Sequence, residues 1–144
     1  MLILPDYRQR ESWDCGRVMF EIICDYYKKP LPLFIANLSN AVVGLSPDSL
    51  AAGFRSLGFK ILEGHWTIDL LKAATKDGKP VATLMQLDSV GHWVAIRGVC
   101  RGRVYYNCPE RGPVSDKIDC WERNWIDYHH MGSVFDRWGV CPYY

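Results

Sequence analysis

Three β-rich runs in the middle of the chain constrain its fold more than any other feature. They cover residues 80–87, 92–99 and 103–107, and turn-forming residues such as Gly91 and Gly102 stand between them. Runs spaced this closely are typical of an antiparallel meander. Because helical patterns precede and follow the meander, the sequence predicts a small α+β domain in which N-terminal helices pack on an antiparallel sheet.

Apolar residues at helical spacing predict the helices. After Cys15 they recur at i+3, i+4, i+7, i+8 and i+11, which predicts a helix that begins at Cys15 with Asp14 as its N-cap. Further helices are predicted from Ser46, from Thr67, over residues 31–43 and over residues 115–130, and a final strand over residues 133–140. We expect Trp121, Trp125 and Tyr128 to pack on the sheet, and Trp93 to cover its outer face.

Length and charge describe one ordinary globular domain spanning residues 1–144. The chain has 49% hydrophobic residues, and its 17 basic residues nearly balance 16 acidic ones. This balance gives no electrostatic basis for binding nucleic acid or anionic lipid. No apolar run approaches the roughly 20 residues that cross a bilayer. We therefore expect no membrane span, and a soluble cytoplasmic protein with reduced thiols.

The six cysteines do not form a recognisable ligand set. They stand at positions 15, 24, 100, 108, 120 and 141, and no two are spaced as C-x-x-C. The spacing is unlike that of zinc or thioredoxin motifs, and we expect neither a metal nor a cofactor. Five of them are interpreted as small buried packing residues. Cys15 differs because a thiol at a helix start meets unpaired N–H groups that lower its pKa.

Residues elsewhere in the chain decide between a buried Cys15 and a nucleophilic one. His92 opens the second β-run and Asn107 closes the third, so antiparallel pairing brings them to the same edge of the sheet. A helix-terminal thiolate, an imidazole and an orienting amide suit nucleophilic acyl transfer. Gln9, six positions before Cys15, could donate to the oxyanion. Each residue alone has a structural explanation, and the combination favours catalysis.

These residues carry a resemblance to a known family. Gln9 with Cys15 six positions later, Asp14-Cys15-Gly16 opening a helix, the His92-Trp93-Val94 strand start and Asn107-x-Pro109 resemble papain-like cysteine peptidases. The similarity is closest to the bacteriocin-processing domains that cut double-glycine leader peptides, and to their stand-alone relatives, and it covers the whole chain. The resemblance implies that Cys15 is the nucleophile, His92 the general base and acid, Asn107 the orienting residue and Gln9 the oxyanion-hole donor.

Two features depart from that family pattern. The exporter domains usually carry Asp-Pro where this chain has Asn107-Cys108-Pro109. In addition, a two-residue turn at Arg101-Gly102 would pair Asn107 with Ile96, so contact with His92 requires a different turn, a bulge or strong twist. If the register fails, Asp88 is the alternative orienting residue.

The sequence thus predicts a thiol hydrolase that cleaves peptide bonds through an acyl-enzyme intermediate. The expected partner is a peptide or protein substrate, such as a leader peptide, and the oligomeric state is not predicted. Two alternatives remain open. One is a catalytically silent papain-like module that binds a peptide or protein in the same cleft, and the other is a thiol acyltransferase or deamidase with the same triad.

Overall fold

The computed structural model describes residues 1–31, 45–87, 90–130 and 133–144. In these ranges four helices and eight strands follow one another as α1 (Cys15–Tyr26), α2 (Pro47–Ser56), β1 (Lys60–His65), α3 (Ile68–Lys76), β2 (Val81–Leu87), β3 (Val90–Cys100), β4 (Arg103–Cys108), β5 (Gly112–Lys117), α4 (Ile118–Asn124), β6 (Ile126–His130), β7 (Ser133–Asp136) and β8 (Trp138–Tyr143). The predicted α+β class is confirmed. The helix predicted over residues 31–43 lies, apart from its first residue, outside the described residues.

A six-stranded antiparallel sheet organises the domain, with strand order β1-β8-β2-β3-β4-β5. Helices α1 and α2 share one core cluster with sheet residues such as Trp93 and Ala95. Helix α3 and Trp121 of α4 share a second cluster with Met85 and other sheet residues. Because successive strand side chains point to opposite faces, the sheet contributes side chains to both core clusters, one on each face. Strands β6 and β7 form a separate pair.

The predicted meander is confirmed as β2, β3 and β4. The turn between β3 and β4 has Arg101 and Gly102 at positive φ (54° and 73°), and Cys100 pairs with Arg103 across it. Positive φ at both central positions is the requirement of a type I′ hairpin turn. A bulge between Ile96 and Gly98 then shifts the register by one residue. The next two helix starts are also confirmed, because Ser46 Oγ and Thr67 Oγ1 each accept a first-turn N–H.

Two predicted elements are wrong in extent. The segment 115–130 is a helix only over Ile118–Asn124, since its first residues pair with β4 and its last residues form β6. Pairing with an available strand edge outweighs the local helical pattern there. The predicted strand 133–140 is interrupted at Arg137, whose φ of 51° is incompatible with a strand, so it is divided between β7 and β8.

Packing of the aromatic and cysteine residues follows the prediction only in part. Trp121 and Trp125 are buried as expected, and the side chain of Tyr128 lies outside the described part of the chain. Trp93 does not cover an outer face, because it is buried among α1 residues and its indole N–H donates to the carbonyl of Leu45 at 2.7 Å. Among the five cysteines predicted to be buried, 24, 108 and 141 are buried, 120 is half-buried and 100 is exposed.

Candidate active site

The candidate site lies where β3 and β4 separate. Pairing of β4 with β3 begins at Asn107 opposite Ala95, so the first five residues of β3, Val90–Val94, have no partner on β4. The start of α1 enters this gap. There the backbone N–H of Trp93 donates to Sγ of Cys15 at 3.5 Å. Because this N–H belongs to the peptide bond that follows His92, the thiol lies directly beside the backbone of His92.

Cys15 is the first residue of α1, as predicted, but burial dominates its ionisation. The residue is 8% exposed. Burial raises the pKa of its thiol to about 11, although the N–H groups of Trp93, Gly16 and Cys15 itself act in the opposite direction. The expectation of a thiolate stabilised at the helix start is therefore wrong for this conformation. The thiol is protonated at neutral pH.

Asp14 occupies the N-cap position without capping the helix. Its side chain makes no cap hydrogen bond. It pairs instead with Arg17 one turn later, at 3.0 Å, and Arg17 also contacts Glu21 at 2.8 Å. The first turn of α1 thus has no side-chain cap, and the N–H groups of Cys15 and Gly16 act on the thiol instead.

His92 is held by a carboxylate that the sequence interpretation missed. Its Nε2 lies 2.7 Å from Oε2 of Glu110, and the histidine side chain is 5% exposed whereas that of Glu110 is 53% exposed. A carboxylate only accepts hydrogen bonds, so Nε2 carries the hydrogen and Nδ1 of the neutral imidazole carries a lone pair. Nδ1 is buried and has no hydrogen-bond partner among the described residues. No motif marks Glu110, and its only signal is its position directly after Pro109.

Asn107 is not hydrogen-bonded to His92. Its amide N–H groups donate to the carbonyls of Leu4 and Pro5, at 3.2 and 2.9 Å, and its Oδ1 has no partner among the described residues. The register explains the separation. Asn107 lies opposite Ala95, on the α1 face of the sheet, whereas His92 lies opposite Met85, whose side chain belongs to the other face. The alternative orienting residue, Asp88, lies outside the described residues.

Gln9 lies in the N-terminal segment, which is residues 1–10 and runs beside the same gap. Its backbone N–H donates to the carbonyl of Pro109 at 2.8 Å, which places Gln9 next to the chain that leads to Glu110. Its side-chain amide donates to the carbonyl of Glu11 at 3.0 Å, and its Oε1 is buried without a partner among the described residues. One of the two amide hydrogens therefore remains for another acceptor.

The surroundings of the site are charged. A cleft of about 620 Å³ lies between the N-terminal segment and α1 and is lined by charged residues including Arg8, Arg10, Arg17 and Glu21. Within the described ranges, no group of three or more potential metal ligands is found. None of the helices in the described part of the chain is long and apolar enough to cross a membrane.

Comparison with solved structures identifies the fold as that of papain-like cysteine peptidases. The particular resemblance is to the double-glycine, or C39, peptidase domains. The chain matches a double-glycine-motif protease from an AMS/PCAT transporter, solved with a leader peptide, at a TM-score of 0.68 and 18% identity over 97% of this chain and 91% of that one. It matches the peptidase domain of Streptococcus ComA at 0.68 and 12% identity over 96% of each chain.

A third structure is a Bacillus anthracis protein that carries the provisional description of a C39-like peptidase. The TM-score is 0.74, with 14% identity over 97% of this chain and 94% of that one. No protein-family model and no curated protein matches the chain. At these identities the similarity establishes the shared fold alone.

Proposed function

We propose that the chain is a cysteine peptidase in which Cys15 is the nucleophile and His92 the general base. The observation that carries the proposal is the state of His92: a carboxylate holds Nε2, while Nδ1 is buried and has no hydrogen-bond partner among the described residues. The Trp93 N–H holds the thiol beside the same residue. A base held in one tautomer and a nucleophile held beside the backbone of the same residue are two of the components that acyl transfer requires.

The raised pKa of Cys15 favours proton transfer during attack over an ion pair formed in advance. As the thiol is protonated at neutral pH, Nδ1 of His92 takes the proton while Sγ bonds to the carbonyl carbon of the substrate. The resulting tetrahedral oxyanion collapses, and the C–N bond breaks as Nδ1–H protonates the leaving amine. Water, deprotonated by Nδ1, then attacks the carbonyl carbon of the thioester. The C–S bond breaks as Nδ1–H returns the proton to Sγ, which releases the acid and restores the thiol.

The oxyanion requires donors close to Cys15. The backbone N–H of Cys15 belongs to the uncapped first turn of α1, and the Gln9 amide has one hydrogen that is not used by Glu11. Gln9 and Cys15 together match the pair implied by the family resemblance. Removing a single oxyanion donor typically reduces kcat by about 10² to 10³.

A peptide is the proposed substrate. The AMS/PCAT protease with the same fold was solved with a leader peptide. In this chain the charged cleft between the N-terminal segment and α1 begins one helical turn from the nucleophile, at Arg17 and Val18. Side chains of both signs line it, which suits an extended polar peptide more than an apolar ligand.

The test is a peptide-library digest followed by mass spectrometry, with the wild-type chain, Cys15→Ala and His92→Gln. Cleavage by the wild-type chain that both substitutions abolish supports the proposal. Cys24→Ala is the matched control, since Cys24 is a buried cysteine on the same helix, and it should retain cleavage. Cleavage that survives Cys15→Ala would overturn the assignment of the nucleophile. Adding an amine acceptor distinguishes hydrolysis from acyl transfer by the mass of the product.

A second candidate is a catalytically silent module that binds a peptide in the same cleft. The observation in its favour is the burial of Cys15, together with its raised pKa. A silent module would retain peptides from the library without cutting them, and Cys15→Ala would leave that binding unchanged. It would also leave Cys15 no more reactive with iodoacetamide than the buried Cys24, whereas a peptidase would be labelled selectively at Cys15.

A further inference from the structure

We infer that Glu110, and not Asn107, is the positioning residue for His92, and that Asn107 instead positions the N-terminal segment that carries Gln9. The inference rests on the proposed function, because orienting His92 matters for catalysis only if His92 acts as the base. It assigns a role to a residue outside the family motif. It also gives the motif residue Asn107 a different role, on the other side of the candidate site.

Glu110 contacts Nε2 of His92 directly through Oε2 of its carboxylate. The two atoms are 2.7 Å apart, and the histidine ring is almost fully buried. A charge-assisted hydrogen bond to a buried imidazole favours the Nε2–H tautomer by a factor on the order of ten or more. This tautomer leaves Nδ1 unprotonated, as the proposed base requires.

Pro109 helps to place Glu110 in this position. It directly follows β4, which ends at Cys108, and its carbonyl accepts the N–H of Gln9 at 2.8 Å. The fixed φ of proline and this hydrogen bond restrain the chain immediately before Glu110. The carboxylate therefore reaches His92 from a restrained segment, although Glu110 itself is half exposed.

Both side-chain hydrogen bonds of Asn107 go to the N-terminal segment. It is 1% exposed and donates to the carbonyls of Leu4 and Pro5. One backbone hydrogen bond lies on each side of this contact. The N–H of Leu2 donates to the carbonyl of Arg97, and the N–H of Gln9 donates to the carbonyl of Pro109. Asn107 thus holds the middle of a segment whose later part presents Gln9 beside the site.

The first test measures the tautomer of His92 by nitrogen-15 NMR of the imidazole. The wild-type chain should show Nε2 protonated and Nδ1 unprotonated. Glu110→Ala should shift the tautomer ratio toward Nδ1–H by roughly tenfold, with Glu110→Gln between the two because its amide oxygen still accepts. Glu63→Gln, on β1 at the far edge of the sheet, is the matched control and should change nothing. An unchanged ratio in Glu110→Ala would overturn the assignment.

The second test measures hydrogen exchange of the N-terminal segment. Asn107→Ala should speed exchange at the amides of Leu2 and Gln9 by about tenfold or more, since two hydrogen bonds that restrain the segment are lost. Asn124→Ala is the matched control and should leave both exchange rates unchanged, because the Asn124 amide also donates to a backbone carbonyl, but to that of Cys120. Unchanged exchange in Asn107→Ala would refute the role of Asn107.

Asn107→Asp separates this inference from the motif-based assignment most sharply. A carboxylate could orient a histidine, so the motif-based assignment expects this variant to keep the His92 tautomer through a new contact and to leave the N-terminal segment in place. If Asn107 holds the N-terminal segment, Asn107→Asp should instead release it and speed its hydrogen exchange. A carboxylate cannot donate to the Leu4 and Pro5 carbonyls and is repelled by them.

Neither measurement requires turnover, so the proposed function and the roles of Glu110 and Asn107 are tested separately. If the chain cleaves no peptide but both tests give the expected result, the proposed function fails and the positions of Glu110 and Asn107 stand. If peptides are cleaved and Asn107→Ala shifts the His92 tautomer while Glu110→Ala does not, the function stands and this inference is overturned.

Discussion

Gly16, the residue after the candidate nucleophile, is expected to tolerate no side chain. A Cβ built on it would lie 2.5 Å from Cβ of Leu45, 2.9 Å from Cδ2 of Leu45 and 3.0 Å from Cδ1 of Trp93. Leu45 and Trp93 are both about 1% exposed. The Cβ of Leu45 is attached to its backbone, so no rotamer change relieves the shortest contact. Gly16→Ala therefore requires α1 to move away from the sheet.

Two opposing effects set the magnitude of this change. Alanine in place of glycine in a helix stabilises by roughly 0.5–1 kcal/mol. Overpacking a closely packed core costs about 1–3 kcal/mol, and the contact at 2.5 Å supports a value near the upper end. The net expectation is a loss of about 1–2 kcal/mol in the free energy of unfolding. For a chain of this length the melting temperature falls by roughly 3–8 °C.

Urea denaturation of the wild-type chain and Gly16→Ala measures this loss directly. The same substitution in a Leu45→Gly background provides the control, since both contacting carbons of Leu45 are then absent, and there it should cost much less. The N–H of Trp93 also holds the thiol, so Gly16→Ala should alter the alkylation rate of Cys15 as well. A Gly16→Ala variant at least as stable as the wild-type chain would refute the proposed packing.

Three further substitutions test other contacts. Gly91→Ala would place a Cβ 2.5 Å from Oδ1 of the buried Asp127, and should cost about 1–3 kcal/mol by urea denaturation; no loss would contradict that contact. Thr83→Val should raise stability by about 1 kcal/mol, because Oγ1 of the fully buried Thr83 has no partner among the described residues, and a lower urea midpoint would contradict this expectation. In His92→Gln, alkylation of Cys15 should depend on ionisation of the thiol alone. The alkylation rate should therefore rise with pH up to about 11, because only about one thiol in a thousand is ionised at pH 8. An inflection near pH 9 would show that burial does not control the pKa of this thiol.

Local sequence patterns predicted the parts of the fold that depend on neighbouring residues. The stripe after Cys15 predicted α1, and the cap residues Ser46 and Thr67 predicted the next two helix starts. The β-runs predicted the three-stranded meander. The prediction failed at both ends of the segment 115–130, where residues 115–117 pair along β4 and residues 126–130 form β6. A local pattern carries no information about which strand edge is free.

In the candidate site, too, the sequence predicts the positions of residues within their elements but not their environment or their partners. Cys15 at a helix start, His92 near the start of β3 and Asn107 near the end of β4 were all predicted from sequence. The ionisation of the thiol was predicted in the wrong direction, because the helix start was considered without the burial that the sheet imposes on it. Glu110 was missed because no motif marks it, and its position directly after Pro109 does not show which side chain it contacts.

Local sequence patterns therefore specify most of the elements and the residue types at their ends. Which of these residues come into contact depends on the register of the folded sheet. One bulge between Ile96 and Gly98 places Asn107 opposite Ala95, on the other face of the sheet from His92, and leaves the imidazole to Glu110. The physical reason is that strand side chains alternate between faces, so a shift of one residue in register exchanges the partner of every side chain that follows.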